Sequence, residues 1–438
     1  MGMVLSQGIQ VIAAPVLGRL YNPTSFGEWT LILSVAGMAS SIGGLRYELA
    51  IVPAADDQEA VGVMMVQTLS NLGVSFLALA LVVLFGHQIA SMLGAPGLSS
   101  WLYFVPLIAL LTGLGNIATY GLIRSKCFKE LALYRSAQSL SGVGYQAAAG
   151  WISGGPGGLI VGGAFGQLAL AGALWTLFRR RYGAFLRKAM TRDYIWECAH
   201  KHRNFPKFMV AYGLAGVFRD RGLLLVLGSF GTAREAGLYA FALRIIYAPM
   251  GLISNSFNSV IYQKAAEAAK PSDVGPLVYR VISRLVMLSL PIFIVVAWFA
   301  TRIFGLVFGR QWEQAGLYAA IMIPPAFTHL LAGPFDRMFD IVGRQKIAMS
   351  IEVVYSVVGL ASFSVCLVIW HNVALAVTVF SGITALYDIV WIVAVYYAYG
   401  FPYSDLARIG ARIAALGSSV IAALWLLTSV IASLLHHT

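Results

Sequence analysis

Charge is scarce in this sequence. Only 11% of its 438 residues are Asp, Glu, Lys or Arg, whereas a soluble domain carries about 25%. Helices without polar faces are not wetted by water, which excludes a soluble fold of this length. Cysteine is scarce too. Cys127, Cys198 and Cys366 are odd in number and far apart, so they offer neither a disulfide framework nor a metal-ligand spacing. There is no Gly-rich phosphate loop, which excludes nucleotide hydrolysis by that route. No outer connection is long enough for a soluble active-site domain with an acid pair, and no enzyme activity is expected. His200 and His202 fall in a basic loop without a matching ligand cluster, and a solvated loop accounts for them. No cofactor and no metal are expected.

Apolar length is what the chain has instead. Hydrophobic residues make up 59% of it, in runs of 18 or more. Each run is enough to cross a hydrocarbon core of about 30 Å at about 1.5 Å per residue. The short alternating segments of a barrel are missing. The chain reads as an all-α, polytopic helical membrane protein with 12–13 transmembrane helices. Spans are expected near 3–20, 26–50, 60–85, 101–123, 136–154, 157–178, 208–229, 236–262, 281–306, 314–335, 347–369, 373–399 and 410–435. The first is the most polar, with Ser6, Gln7, Gln10, Pro15 and Arg19. It lacks a basic leader and a small-residue cleavage site, and is expected to be retained.

Basic residues set the orientation. With the N-terminus in the cytoplasm, the inner connections collect 22 of the 30 Lys and Arg, and the outer side receives Arg19, Arg234, Arg302 and Arg310. The net charge of +12 is thus a topology signal, and nucleic acid is not an expected partner. The largest inner connection, Arg179 to Lys207, has six spans on either side. It divides the chain into an N-terminal six-helix lobe (1–178), a cytoplasmic basic linker (179–207), a C-terminal six-helix lobe (208–399) and an extra C-terminal helix (400–438). The linker reads either as a segment resting on anionic inner-leaflet lipid or as an ordinary basic loop. Weak repeats fit two lobes: "REAGLYA" at 234–240 returns as "EQAGLYA" at 313–319, and "SFGEW" at 25–29 resembles "EAGLY" at 235–239. Each opens an inward-running helix, where a turn Gly and an interfacial aromatic are suited.

Four basic residues lie within spans. Arg219 and Arg221 flank Asp220, and Arg219 stands about 16 Å from the inner end of its span. Arg244 lies at a comparable depth on the following antiparallel span. A mid-bilayer charge costs at least about 2.5–3.5 kcal/mol on insertion scales, so it must face a partner or a polar cavity. One reading is an ion pair, Asp220 with Arg244 or with a flanking arginine. The other is an anion site, because one acid does not neutralise three arginines and the guanidinium fork matches phosphate oxygens. Arg219 and Arg221 are about 200° apart around a helix and cannot both face one partner. Arg46 and Glu48, near the inner end of the second span, either extend the same cavity or snorkel to water. Glu352 and Asp388 are lone acids in late spans, each either a coupling site for a cation or proton or an interfacial residue. Gln67, Asn71 and the other amides inside spans read as helix–helix hydrogen-bonding groups.

Five stretches resemble one family in the expected order: "APVLGRLYNPTSFGEW" (14–29), "LRYELAIVPAADDQEA" (45–60), "LIRSKCFKELALYRSAQS" (122–139), "DRGLLLVLGSFGTAREAGLYAFALRIIYAP" (220–249) and "FGLVFGRQWEQAGLYA" (304–319). They resemble bacterial polysaccharide (O-unit) flippases of the multidrug/oligosaccharidyl-lipid/polysaccharide exporter superfamily. The resemblance implies two six-helix lobes around a central cavity. It implies alternating access that carries an undecaprenyl-pyrophosphate-linked oligosaccharide across the bacterial inner membrane, for O-antigen, capsule or exopolysaccharide synthesis. Arg219, Arg221 and Arg244, and less directly Arg46, are then the pyrophosphate ligands, with Asp220, Glu48, Glu352 and Asp388 as cavity or coupling acids. Membrane lipid, a polysaccharide polymerase and chain-length proteins are the expected partners. The first helix is shorter than the family's and the last segment exceeds twelve helices. A multidrug or cation exporter of the same superfamily is the alternative, but it favours an acid-dominated cavity. A membrane polysaccharide polymerase fits less well.

Overall fold

The computed structural model describes residues 2–203, 205–268 and 271–436. Every element among them is helical. The first half contains α1 (Gly2–Leu20), α2 (Pro23–Gly43), a short α3 (Glu48–Ile51), α4 (Asp57–Met92), α5 (Phe104–Arg124), α6 (Phe128–Ile152) and α7 (Pro156–Ala171). The basic linker is folded: α8 (Ala173–Leu177) runs through a π turn into α9 (Gly183–Ala189) and α10 (Arg192–Lys201). Then follow α11 (Val210–Phe230), α12 (Ala233–Glu267), α13 (Gly275–Phe308), α14 (Glu313–Ala332), a short α15 (Met338–Ile341), α16 (Gln345–Trp370), α17 (Val373–Tyr399) and α18 (Tyr403–His436). A helix thus occupies each of the thirteen expected positions. Among the described residues eight helical stretches are long and apolar enough to cross a membrane, and Arg221–Phe230 is a shorter apolar one.

Local chemistry sets several helix starts. Asn22, Asp56 and Asn372 cap α2, α4 and α17 by accepting from the N–H groups of Ser25, Glu59 and Leu375 at 2.8, 2.7 and 3.0 Å, leaving fewer first-turn donors unpaired. Outward faces carry large apolar side chains, such as Phe76, Leu84, Leu288, Leu306 and Val357. Water disfavours such a surface and lipid accepts it.

The chain divides into two compact units, Met1–Ala240 and Phe241–Thr438. In the first, α2 packs against α4, α5, α7 and α11, while α6 packs against α1 and α7. In the second, α14 lies against α13 and α17, α16 pairs with α17, and the extra helix α18 lies along α13.

Two departures from the expected spans matter. The second span is not one continuous helix. It stops at Gly43, and Leu45 and Arg46 take the left-handed region at φ 47° and 60° before α3 begins. Left-handed L-residues cost roughly 1–2 kcal/mol each, so the surroundings must hold the break. The linker, in turn, is neither free nor wholly solvated. Tyr182, Ala189 and Cys198 are buried against α4 and α5, and the Tyr47 hydroxyl donates to the Ala199 carbonyl at 3.1 Å. His202, expected in a solvated loop, sits 2.6 Å from Glu59 Oε1 with its side chain only 13% exposed. Lys201 Nζ donates to the other Glu59 oxygen at 2.8 Å. Burial raises the Cys198 thiol above its ordinary pKa. Trp196 stays exposed on the opposite side of α10.

Candidate functional site

In the first unit the polar residues converge on the break after α2. Arg46 lies 3.6 Å from Glu48, which is buried. Gln67 of α4 donates its amide to the second Glu48 oxygen at 3.0 Å. One turn further along α4, Asn71 donates to the Leu110 carbonyl of α5 at 2.9 Å. Gln67, Asn71 and Ser75 stand at i, i+4 and i+8, so they form one stripe on α4. All three are buried, and Gln67 Oε1, Asn71 Oδ1 and Ser75 Oγ find no hydrogen-bond partner among the described residues, nor does Arg46 Nε. A buried polar atom left unpaired costs about 1–3 kcal/mol. Four such atoms, three of them in one stripe on α4, run against a purely structural core and suit a hydrated path leading away from Glu48.

The arginines expected to hold an anion are distributed as follows. Arg221 belongs to α11 and the first unit, Arg244 to α12 and the second, and both are partly buried. Each stands eleven residues into its helix, about 16 Å along the axis. The side chains of Arg219 and Asp220 lie outside the described residues.

The two late acids form a cluster in the second unit. Asp388 of α17 is fully buried. It accepts from the Thr328 hydroxyl at 2.9 Å, and its other oxygen lies 3.3 Å from His329 Nδ1. Thr328 and His329 follow Pro324 and Pro325 in α14. That pair removes backbone N–H donors and bends the helix where the contact forms. His329 itself is 43% exposed, so it links a closed acid to open surroundings. Glu352 of α16 accepts from the Tyr387 hydroxyl at 2.7 Å. Tyr387, next to Asp388 in the chain, stacks on Tyr355 with ring centroids 4.2 Å apart. A carboxylate facing an imidazole is able to take up and release a proton at modest charge cost in a low-dielectric interior. Among the described residues no group of three His, Cys, Asp or Glu side chains is arranged to hold a metal ion.

Sequence reasoning singled out Asp388, Glu352, Arg46 and Glu48 but missed His329, Thr328 and Tyr387. The available signal was a titratable histidine inside an apolar span, shortly after a Pro–Pro pair.

A family model described as a polysaccharide biosynthesis protein matches residues 16–316. A search of the curated proteins gives no match. Among solved structures, the chain is similar to a lipid II flippase MurJ in an inward closed conformation, with a TM-score of 0.72 and 11% identity over 99% of this chain and 95% of that one. It is also similar to an inward-facing multidrug resistance MATE family transporter of the MOP superfamily, with a TM-score of 0.55 and 11% identity over 90% of this chain and 96% of that one. At these identities the likeness is one of fold.

Proposed function

The chain belongs to the polysaccharide biosynthesis protein family, and from that membership we propose that it flips an undecaprenyl-pyrophosphate-linked oligosaccharide repeat unit across the bacterial inner membrane. Transport is by alternating access between two six-helix lobes, with the N-terminus in the cytoplasm. The observation that carries this reading is the basic character of α11 and α12 at mid-span. Arg219, Arg221 and Arg244 stand there against the single acid Asp220. The summed charge of +2 suits a pyrophosphate and repels the cationic drugs a multidrug exporter would take. Arg46, at the break after α2, extends the anion path, and Glu48 holds it in place through the 3.6 Å pair.

Asp388 with His329, and Glu352 with Tyr387, are the coupling groups in this reading. Protonation of the Asp388–His329 pair changes the charge inside the second unit and so biases one conformation over the other. The chain acts as a transporter and not as an enzyme.

The test is complementation of strains that lack their own flippase and differ in repeat unit. Restored surface polysaccharide in one of them, abolished by Arg244→Ala in protein that still inserts, is the expected result. Failure in every strain combined with drug resistance conferred on a sensitive host would replace this reading with the exporter.

A further inference from the structure

A second basic site lies in the first unit, where α5 ends and α4 begins. The α5–α6 turn, the start of α4 and the π turn after α8 enclose a cavity of about 370 Å³. That is within the range of small-ligand clefts, about 300–1,000 Å³. Asp57, Arg124, Ser125, Lys126, Arg181 and Tyr182 line it, three cations against one carboxylate.

Arg124 is the anchor. Its side chain is 14% exposed. Nε donates to Asp57 at 3.2 Å, and Nη1 donates to the carbonyls of Ile51, Val52 and Ala54 at 3.2, 3.0 and 2.7 Å. These bonds fix the guanidinium plane and fasten the α3–α4 turn. Among the described residues nothing accepts from Nη2. Fastening that turn accounts for Arg124 and Asp57 but not for the other two cations. Arg181 donates through Nη1 to the Ser125 carbonyl at 3.1 Å and to Cys127 Sγ at 3.6 Å, and its other two nitrogens make no hydrogen bond among the described residues. Lys126 sits in the left-handed region at φ 55° and forms no ion pair among the described residues. The Ser125 and Tyr182 hydroxyls are 2.9 Å apart and add two more polar groups to the same wall. Like charges gathered in one cleft raise its potential and repel one another. An anion with several acceptor oxygens relieves that repulsion and matches the donor set.

We propose that this cavity is a phosphate-binding site, separate from the transport path. Its ligand is a phosphate group presented either by an anionic phospholipid of the adjoining leaflet or by a soluble phosphate. The proposal stands independently of the substrate reading above.

The experiment uses the full chain carrying Arg219→Gln, Arg221→Gln and Arg244→Gln, so that mid-span arginines do not contribute. In nanodiscs of phosphatidylcholine it is titrated with inorganic pyrophosphate by calorimetry. In discs that also contain phosphatidylglycerol, co-purifying lipid is read by native mass spectrometry. Saturable pyrophosphate binding supports a soluble source, and selective retention of phosphatidylglycerol supports the lipid source. In either arm Lys126→Glu weakens binding on the order of tenfold or more, since it removes a charge-assisted donor and sets a like charge against the phosphate. Lys126→Arg retains it. Lys126 holds no other part of the fold, so its variants keep the parent's thermal unfolding midpoint. Absence of both kinds of binding overturns the proposal. So does unchanged binding in the double variant Lys126→Glu/Arg181→Gln.

Discussion

An arginine at mid-span retains its charge, because its pKa lies far above any physiological pH. Whatever faces Arg221 and Arg244 must therefore deal with a permanent cation. If pyrophosphate is that counter-ion during transport, Arg221→Ala and Arg244→Ala each reduce export on the order of 10–100-fold, the equivalent of one or two lost charge-assisted hydrogen bonds. Arg→Lys restores part of it, because the ammonium keeps charge and loses the fork. An ion pair of Asp220 with Arg244 gives a different pattern. Asp220→Asn is then as harmful as Arg244→Ala, and the double variant recovers because no buried charge is left unpaired. Export assays on the four chains separate the two. The acids behave differently from the arginines because they are able to neutralise. Asp388→Asn preserves the Thr328 bond but fixes the site uncharged, so transport should lose its dependence on the proton gradient while substrate binding persists. Uptake driven by an imposed pH step in proteoliposomes measures this, and unchanged gradient dependence removes Asp388 from coupling. Both acids were legible from sequence as isolated charges in apolar spans. Their partners were not, since His329 lies 59 residues from Asp388 and only helix packing brings the two together.

Helix placement follows from apolar length, and the thirteen expected positions all hold helices. The use of the repeated glycines was not legible. A turn glycine was expected at 27, 237 and 316, but each lies inside the first turns of a helix. A Cβ on Gly27 would overlap the Ala233 carbonyl, and one on Gly237 would overlap the Pro23 carbonyl. Pro23 precedes Gly27 by four residues, as Ala233 precedes Gly237, so the two repeat copies pack reciprocally, each glycine against the first residue of the other's helix. Gly316 meets the Ala300 carbonyl and Thr301 in the same manner, at 2.6–2.7 Å from its would-be Cβ. The sequence shows the repeat, while the physical reason is close backbone contact, between elements far apart in the chain for Gly27 and Gly237 and with the preceding helix for Gly316. Gly27→Ala should therefore destabilise the solubilised protein by about 1–3 kcal/mol through overpacking. Gly37→Ala on the same helix meets nothing within 4 Å and should stabilise by about 0.5–1 kcal/mol. Thermal unfolding in detergent compares them, and equal midpoints would count against the close approach. The break after α2 escaped the pattern for another reason. Arg46 and Glu48 in 45–51 read as charges within or at the end of a continuous span, and only the Gly43–Gly44 pair just before Leu45 and Arg46 hints at a break.

At the scale of the whole molecule the asymmetry of charge is the strongest constraint. In the topology expected from sequence, 22 basic residues fall on one side and 4 on the other. The folded linker strengthens the argument, because α9 and α10 seal against the same end of the first unit that carries Arg124 and the α5–α6 turn. The α5–α6 turn and the 179–207 linker therefore belong to one side of the membrane or the other together. Reporter fusions at Ala184 in α9 and at Gly94 after α4 should read cytoplasmic and outer respectively. The thirteenth helix adds an independent check. Tyr403–Ser429 is long and apolar enough to span, and an odd number of crossings puts its far end opposite the N-terminus. A fusion at Ser429 should read as outer, matching Gly94. If it reads as cytoplasmic while Gly94 remains outer, α18 lies along the membrane instead of crossing it, and the twelve preceding helices keep their topology. If Ala184 and Gly94 exchange places, the basic loops face outward. The phosphate cavity and Arg46 then open on the side where a lipid-linked substrate is released instead of loaded, and the direction of transport proposed here is reversed.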